Sequence, residues 1–122
     1  MIRPALCALS LAILPALPAE AQTGPSLETL VELAETLGQA HAIRAVCNGD
    51  GDQTWRNYMM SMLAMEAPSG PRRSPLTSAF NRGYRAQSSQ MKTCTASAPA
   101  QEAAIAARGR ALAEVVAQSY LN

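Results

Sequence analysis

The sequence predicts an all-α fold, a small bundle of about four helices stapled by one disulfide. Apolar residues recur at helical spacing in four separate stretches, with neither strand alternation nor an internal repeat. Segments rich in proline, glycine and small polar residues part those stretches. Two cysteines, Cys47 and Cys94, remain once an N-terminal export signal is set aside.

That signal is read over residues 1–21. Arg3 gives a positive start, Ala5 to Leu17 is an apolar run, and cleavage is expected after Ala21. The run is too short to span a bilayer. Cys7 stands at its front rather than its end, which argues against a lipoprotein site. The expected mature chain is about 100 residues, one domain. The chain carries a net charge of +1. Removing Arg3 and Glu20 leaves that balance unchanged, so nothing draws it toward nucleic acid or an anionic membrane over a distance. The location read from the signal is periplasmic, with no stable membrane insertion after cleavage. In an oxidising compartment Cys47 and Cys94 are expected to pair, in preference to a metal site or two free thiols.

Gln22 to Pro25 reads as a flexible tail. Ser26 is a cap for a first helix reaching about Val46, with Leu27, Leu30, Ala34, Leu37 and His41 on one stripe. Leu33, Ala40 and Ile43 widen that stripe, and Glu28 sits where the helix dipole favours a negative charge. Asn48 to Gly51 is a turn. Asp52 is the expected cap of a second helix to about Glu66, whose inward positions are Trp55, Met59, Met62 and Leu63. Residues 67–75 read as a linker, ended by Ser74 and Pro75 as the cap and first position of a third helix. That helix is expected to reach Ala96 with Leu76, Phe80, Tyr84 and Met91 inward, so that Cys94 lies near its end. Pro99 is expected to break the chain. A fourth helix then runs from Gln101 to about Tyr120 with Ile105, Leu112, Val116 and Tyr120 on one stripe.

The turn at 48–52 alternates oxygen-bearing residues with glycines, as calcium loops do. An EF-hand needs glycine at its sixth position and glutamate at its twelfth. Counted from Asn48 those positions hold Gln53 and Met59, so the pattern fails. Turn geometry and helix capping account for the stretch better, and Asp52 can also pair with Arg56 one turn on.

Near that turn, Gln53, Trp55 and Arg56 open the second helix, and Asn81, Tyr84 and Arg85 share a face of the third. Gly83 leaves room for close backbone approach. Amides, an indole, a phenol and guanidinium groups suit a ligand of sugars, peptide amides and carboxylates. Core packing is the expected role of Trp55 and Phe80, while Gln53, Arg56 and Asn81 stand equally for a binding face or for structural staples. His41 is the sole histidine and lies on an apolar stripe with Arg44 one turn on, so packing is favoured over general-base work. No serine sits in a G-x-S-x-G context. Glu66 with His41 is the weak hydrolase alternative. Met59, Met60, Met62 and Met65 raise soft-metal (copper) or small-ligand binding as a further alternative, although methionine stripes usually fill cores.

The run HAIRAVCNGDGDQTWRNYM from His41, followed by MEAP, FNRGY and a later cysteine, resembles a family of small exported alphaproteobacterial proteins known as a domain of unknown function. The resemblance covers His41 to Cys94. The family pattern often has leucine where this chain has Ile43. The resemblance implies export, an all-helical fold and a Cys47–Cys94 pair, and it brings no reaction. The matching positions His41, Arg44, Asp52, Gln53, Trp55, Arg56, Asn81, Gly83 and Tyr84 therefore stand as candidates. The function expected is a non-catalytic periplasmic envelope protein without a cofactor, binding peptidoglycan or scaffolding envelope-building complexes, with no nucleic-acid partner.

Overall fold

Among the residues described in the computed structural model, 12–16 and 24–121, the chain forms four helices and no strand. They are α1 (Leu27–Asn48), α2 (Thr54–Glu66), α3 (Arg73–Gln90) and α4 (Ala98–Gln118). The export signal falls mostly outside the described residues. No helix among those described is long and apolar enough to cross a membrane.

The first helix, α1, is the hub, because it packs on each of the other three. Its start is set by Ser26, whose Oγ accepts a hydrogen bond from the Thr29 N–H at 3.1 Å. Its end is set by Gly49, at φ +85°, whose N–H reaches the Ala45 carbonyl at 2.9 Å. The stripe read from the sequence is buried at Leu30, Ala34, Leu37 and His41, whereas Leu27, the first residue of the helix, is exposed.

The closest packing is between α1 and α3. A Cβ on Gly38 would overlap the Phe80 carbonyl oxygen, and a Cβ on Gly83 would overlap that of Glu35. The two glycines thus let each backbone lie directly on the other, the approach expected from Gly83 and completed by Gly38. The main core gathers Leu30, Leu33, Leu37, Met59, Leu63, Leu76 and Phe80 between α1, α2 and α3. A smaller cluster of Ile43, Met91 and Ala98 closes the far end beside Cys47. There the Cys47–Cys94 disulfide joins the last turn of α1 to the segment between α3 and α4, with Cα atoms 4.8 Å apart.

Several boundaries differ from the sequence reading. The third helix begins at Arg73, so Pro75 occupies its first turn and Ser74 is not its cap. It stops at Gln90, leaving Met91 as a buried C-cap and Cys94 beyond its end. The fourth helix begins at Ala98 and holds Pro99 within its first turn, where the missing N–H costs no helical bond. Tyr120 lies past the helix end and is exposed. Of the segment read as a tail, Gly24 and Pro25 rest on the bundle. Pro25 is buried and its carbonyl accepts from Arg72 Nη2 at 2.8 Å. The 67–75 segment is pinned as well, with Ala67 buried and its carbonyl accepting from Arg73 Nη1 at 3.2 Å.

Candidate functional site

Helix α2 rests on α1 and leaves a groove along each flank. The flank facing α3 opens into a groove of about 430 Å³. Its α2 wall is Arg56, Met59, Met60 and Leu63, spaced three and four apart, and its α3 wall is Thr77, Phe80, Asn81 and Tyr84 at the same spacing. His41 and Ala45 of α1 and Asp50 and Gln53 of the connecting turn complete the lining. Arg56, Asn81 and Asp50 are exposed, Gln53 and Tyr84 are half-buried, and Met59, Leu63 and Phe80 are buried. Polar rim groups therefore surround an apolar base.

His41 belongs to that base. It is 8% exposed, with its ring centroid 5.7 Å from that of Phe80 and 5.5 Å from that of Tyr84. Burial lowers its pKa, and the nearby Arg56 charge lowers it further, against opposing pulls from Asp52 and Asp50. Its buried Nδ1 makes no hydrogen bond within the protein. A neutral imidazole follows from this environment.

The turn that orients these groups is held by Asp52. Its carboxylate accepts from Asn48 Nδ2 at 2.8 Å, from the Thr54 N–H at 3.1 Å and from Arg44 Nη1 at 3.4 Å. The bond from Asn48, then that from Thr54, holds its pKa well below the carboxylate range. Asp52 thus does bind an N–H of the first turn of α2, while the residue directly before the helix is Gln53, which makes no side-chain cap bond. Gln53 Nε2 instead donates to the Asp50 carbonyl at 2.7 Å, folding the turn back beside the groove. The expected pair of Asp52 with Arg56 is not formed. Arg44 takes the carboxylate, and Arg56 has no ion-pair or hydrogen-bond partner among the described residues.

Three candidates lie elsewhere. Trp55 Nε1 donates to Glu102 Oε1 at 2.9 Å, and Arg44 Nε donates to the same oxygen at 2.5 Å. These two side chains fasten the ends of α1 and α2 to α4. Arg85 is exposed and does not line the groove. Asp50 and Thr77 line it without having been named as binding candidates, and Met60 was named only with the methionine cluster. Asp50 had a signal, its place in the oxygen-rich turn, whereas Thr77 had only its helix phase. Glu102 had none in its own stretch. Glu66 accepts from the Tyr120 hydroxyl and does not share the groove with His41, so the pairing behind the hydrolase alternative is not assembled. The four methionines of α2 are likewise dispersed: Met59 and Met60 line this groove, Met62 lines the opposite one, and Met65 is exposed. Among the described residues no group of three His, Cys, Asp or Glu side chains is placed to hold a metal ion.

The opposite flank of α2, facing α4, opens into a groove of about 410 Å³. It is lined by Leu33, Leu37 and Ala40 of α1, Trp55, Tyr58 and Met62 of α2, and Ile105, Gly109 and Arg110 of α4, among others. Its surface is mostly apolar.

Compared with known proteins, residues 25–120 match the model of a family described as "Protein of unknown function (DUF2385)". No curated protein and no solved structure matches the chain.

Proposed function

The chain belongs to this family of unknown function, and we propose from its polar groove that it is a non-catalytic periplasmic binding protein of the cell envelope whose ligand is peptidoglycan. One observation supports this above the others. Arg56, Asn81, Gln53 and Tyr84, from two helices and a turn, converge on a single groove, and the Arg56 and Asn81 side chains have no partner among the described residues. Buried polar groups that staple a fold are paired, whereas unpaired, exposed groups gathered over an apolar base are free to take a ligand. Peptidoglycan offers what they complement: carboxylates for the guanidinium, acetamido and peptide groups for the amides, and sugar faces for the phenol ring. The Cys47–Cys94 disulfide suits an exported protein.

Co-sedimentation with purified sacculi tests the reading. Wild-type protein pellets with the polymer, Arg56→Ala weakens binding about tenfold or more, as loss of a charged hydrogen bond of roughly 1.5–3 kcal/mol requires, and Asn81→Ala weakens it about fivefold, the scale of a neutral bond of roughly 1 kcal/mol. Both side chains are exposed, so the circular dichroism of the variants stays helical. Wild-type protein that stays in the supernatant at low salt removes the polymer as ligand and favours a protein partner in an envelope-building complex.

A further inference from the structure

The charges of the polar groove are of two signs, and they do not cancel. Asp50 and Arg56 are both exposed and both line it, yet they form no ion pair with each other. Between the walls, His41 is more than nine-tenths buried and its Nδ1 has no hydrogen-bond partner in the protein. Arg56 and Asp50 act on the titration of that ring in opposite senses, so both lie within electrostatic reach of it. Lys92 shares a shallow depression on the other side of the turn with Asp50 and forms no ion pair with it. A groove walled by one cation and one anion, with amides at its rim, favours a ligand that carries both charges, because a ligand of a single charge is attracted by one wall group and repelled by the other.

Building on the binding function proposed above, we infer that the groove selects a zwitterionic peptide-like ligand, its carboxylate on Arg56, its ammonium on Asp50 and its amide against Asn81 and Gln53. A neutral His41 beneath it adds no repulsion to the ammonium. A free peptide and the amine-bearing peptide ends of peptidoglycan share this chemistry, and the experiment separates them.

Dialanine, N-acetyl-dialanine and dialanine amide are titrated into isotope-labelled protein and followed by NMR. Dialanine shifts the amides of Asp50, Gln53, Arg56 and Asn81, and each blocked form binds about tenfold more weakly, the scale of one charged contact. Asp50→Asn erases the preference over the acetylated form alone, and Arg56→Gln erases the preference over the amide alone. Absence of shifts in the groove, or an acetylated form that binds as well as dialanine, overturns the inference. Sacculi supply the second arm. If sedimentation is unchanged after chemical acetylation of their free amines, the inference falls and the peptidoglycan reading stands. If dialanine shows the crossed pattern while sacculi do not bind, the inference stands for free peptides and the polymer is lost.

Discussion

The two grooves beside α2 are nearly equal in size, about 430 and 410 Å³, and differ in character, the one on the α3 side rimmed by polar groups and the one on the α4 side mostly apolar. On the α3 side Arg56, Asn81 and Asp50 have no side-chain partner among the described residues. On the α4 side the Trp55 indole N–H is joined to Glu102, which also accepts from Arg44, while Tyr58 and Arg110 line that groove without a side-chain hydrogen-bond or ion-pair partner among the described residues. One flank of α2 therefore lines a groove with a polar rim, and the other is fastened to α4 through Trp55. Adjacent residues end on different flanks because an α-helix turns about 100° per residue. Trp55 and Arg56 are neighbours in sequence, yet one lines the apolar groove and the other the polar one.

The largest expected effect strikes both flanks together. The Cys47–Cys94 bridge closes a loop with a sequence separation of 47 residues at the end that the grooves share. Replacing both cysteines by serine lowers stability by about 4 kcal/mol on the chain-entropy model. Urea unfolding of the double variant checks this. A loss below about 1 kcal/mol would mean that the packing of Ile43, Met91 and Ala98 holds that end without the bridge.

A second substitution separates the flanks. Gly83→Ala places a Cβ against the Glu35 carbonyl and must push α3 away from α1. Overpacking of this kind costs about 1–3 kcal/mol. The polar groove, which has α3 as a wall, should change shape while the α4 side does not. Amide shifts confined to residues of α3 and its neighbours are the expected record, and equal shifts around Trp55 and Ile105 would show that the grooves are mechanically coupled.

These two features also mark what could be read beforehand. The helices, the Ser26 cap and the inward face of α1 were legible because helical spacing and capping chemistry are local. Ser74 misled because a cap and a proline form a strong local signal, whereas the helix start is fixed by Arg73 and Arg72 reaching the Ala67 and Pro25 carbonyls. Arg56, Gln53, Asn81 and Tyr84 could be named as a set from their chemistry and helix phase. Nothing in the stretch around Glu102 announces that it holds Trp55 and Arg44, because that contact spans residues 58 and 47 positions apart. Gly38 gave no local sign of the reciprocal contact that it makes with Phe80.

Glu102 offers the sharper test of the fastened flank. Glu102→Gln keeps the shape and weakens the bonds from Arg44 and Trp55, with an expected loss of about 1–2 kcal/mol for this part-buried pair of contacts. The fluorescence of Trp55, the single tryptophan, should shift, while ligand binding on the α3 side is retained. Loss of binding at unchanged helicity would mean that the two flanks work as one site.

The smallest effect belongs to His41. Its folded pKa is lowered from 6.5, first by burial and then by Arg56, with Asp52 and Asp50 opposing. Below about pH 6.5 the unfolded chain takes up a proton that the folded chain resists, so stability falls as pH drops through that value and is insensitive to His41 above it. Asp52 acts in a lower window. Its folded pKa is held below the ordinary 3.8, so its contribution is present above that value and is lost as the medium becomes more acidic. The two windows do not overlap, and urea midpoints at pH 7.5 and 5.5 therefore read His41 with little contribution from Asp52. Wild-type protein should have the lower midpoint at pH 5.5, and His41→Phe, which keeps an aromatic ring against Phe80 and Tyr84, should narrow the difference. If the variant shows the full wild-type difference, His41 takes up its proton as readily in the folded chain as in the unfolded one and is charged at pH 5.5. At that pH the base of the polar groove then carries a positive charge that an ammonium group would have to meet.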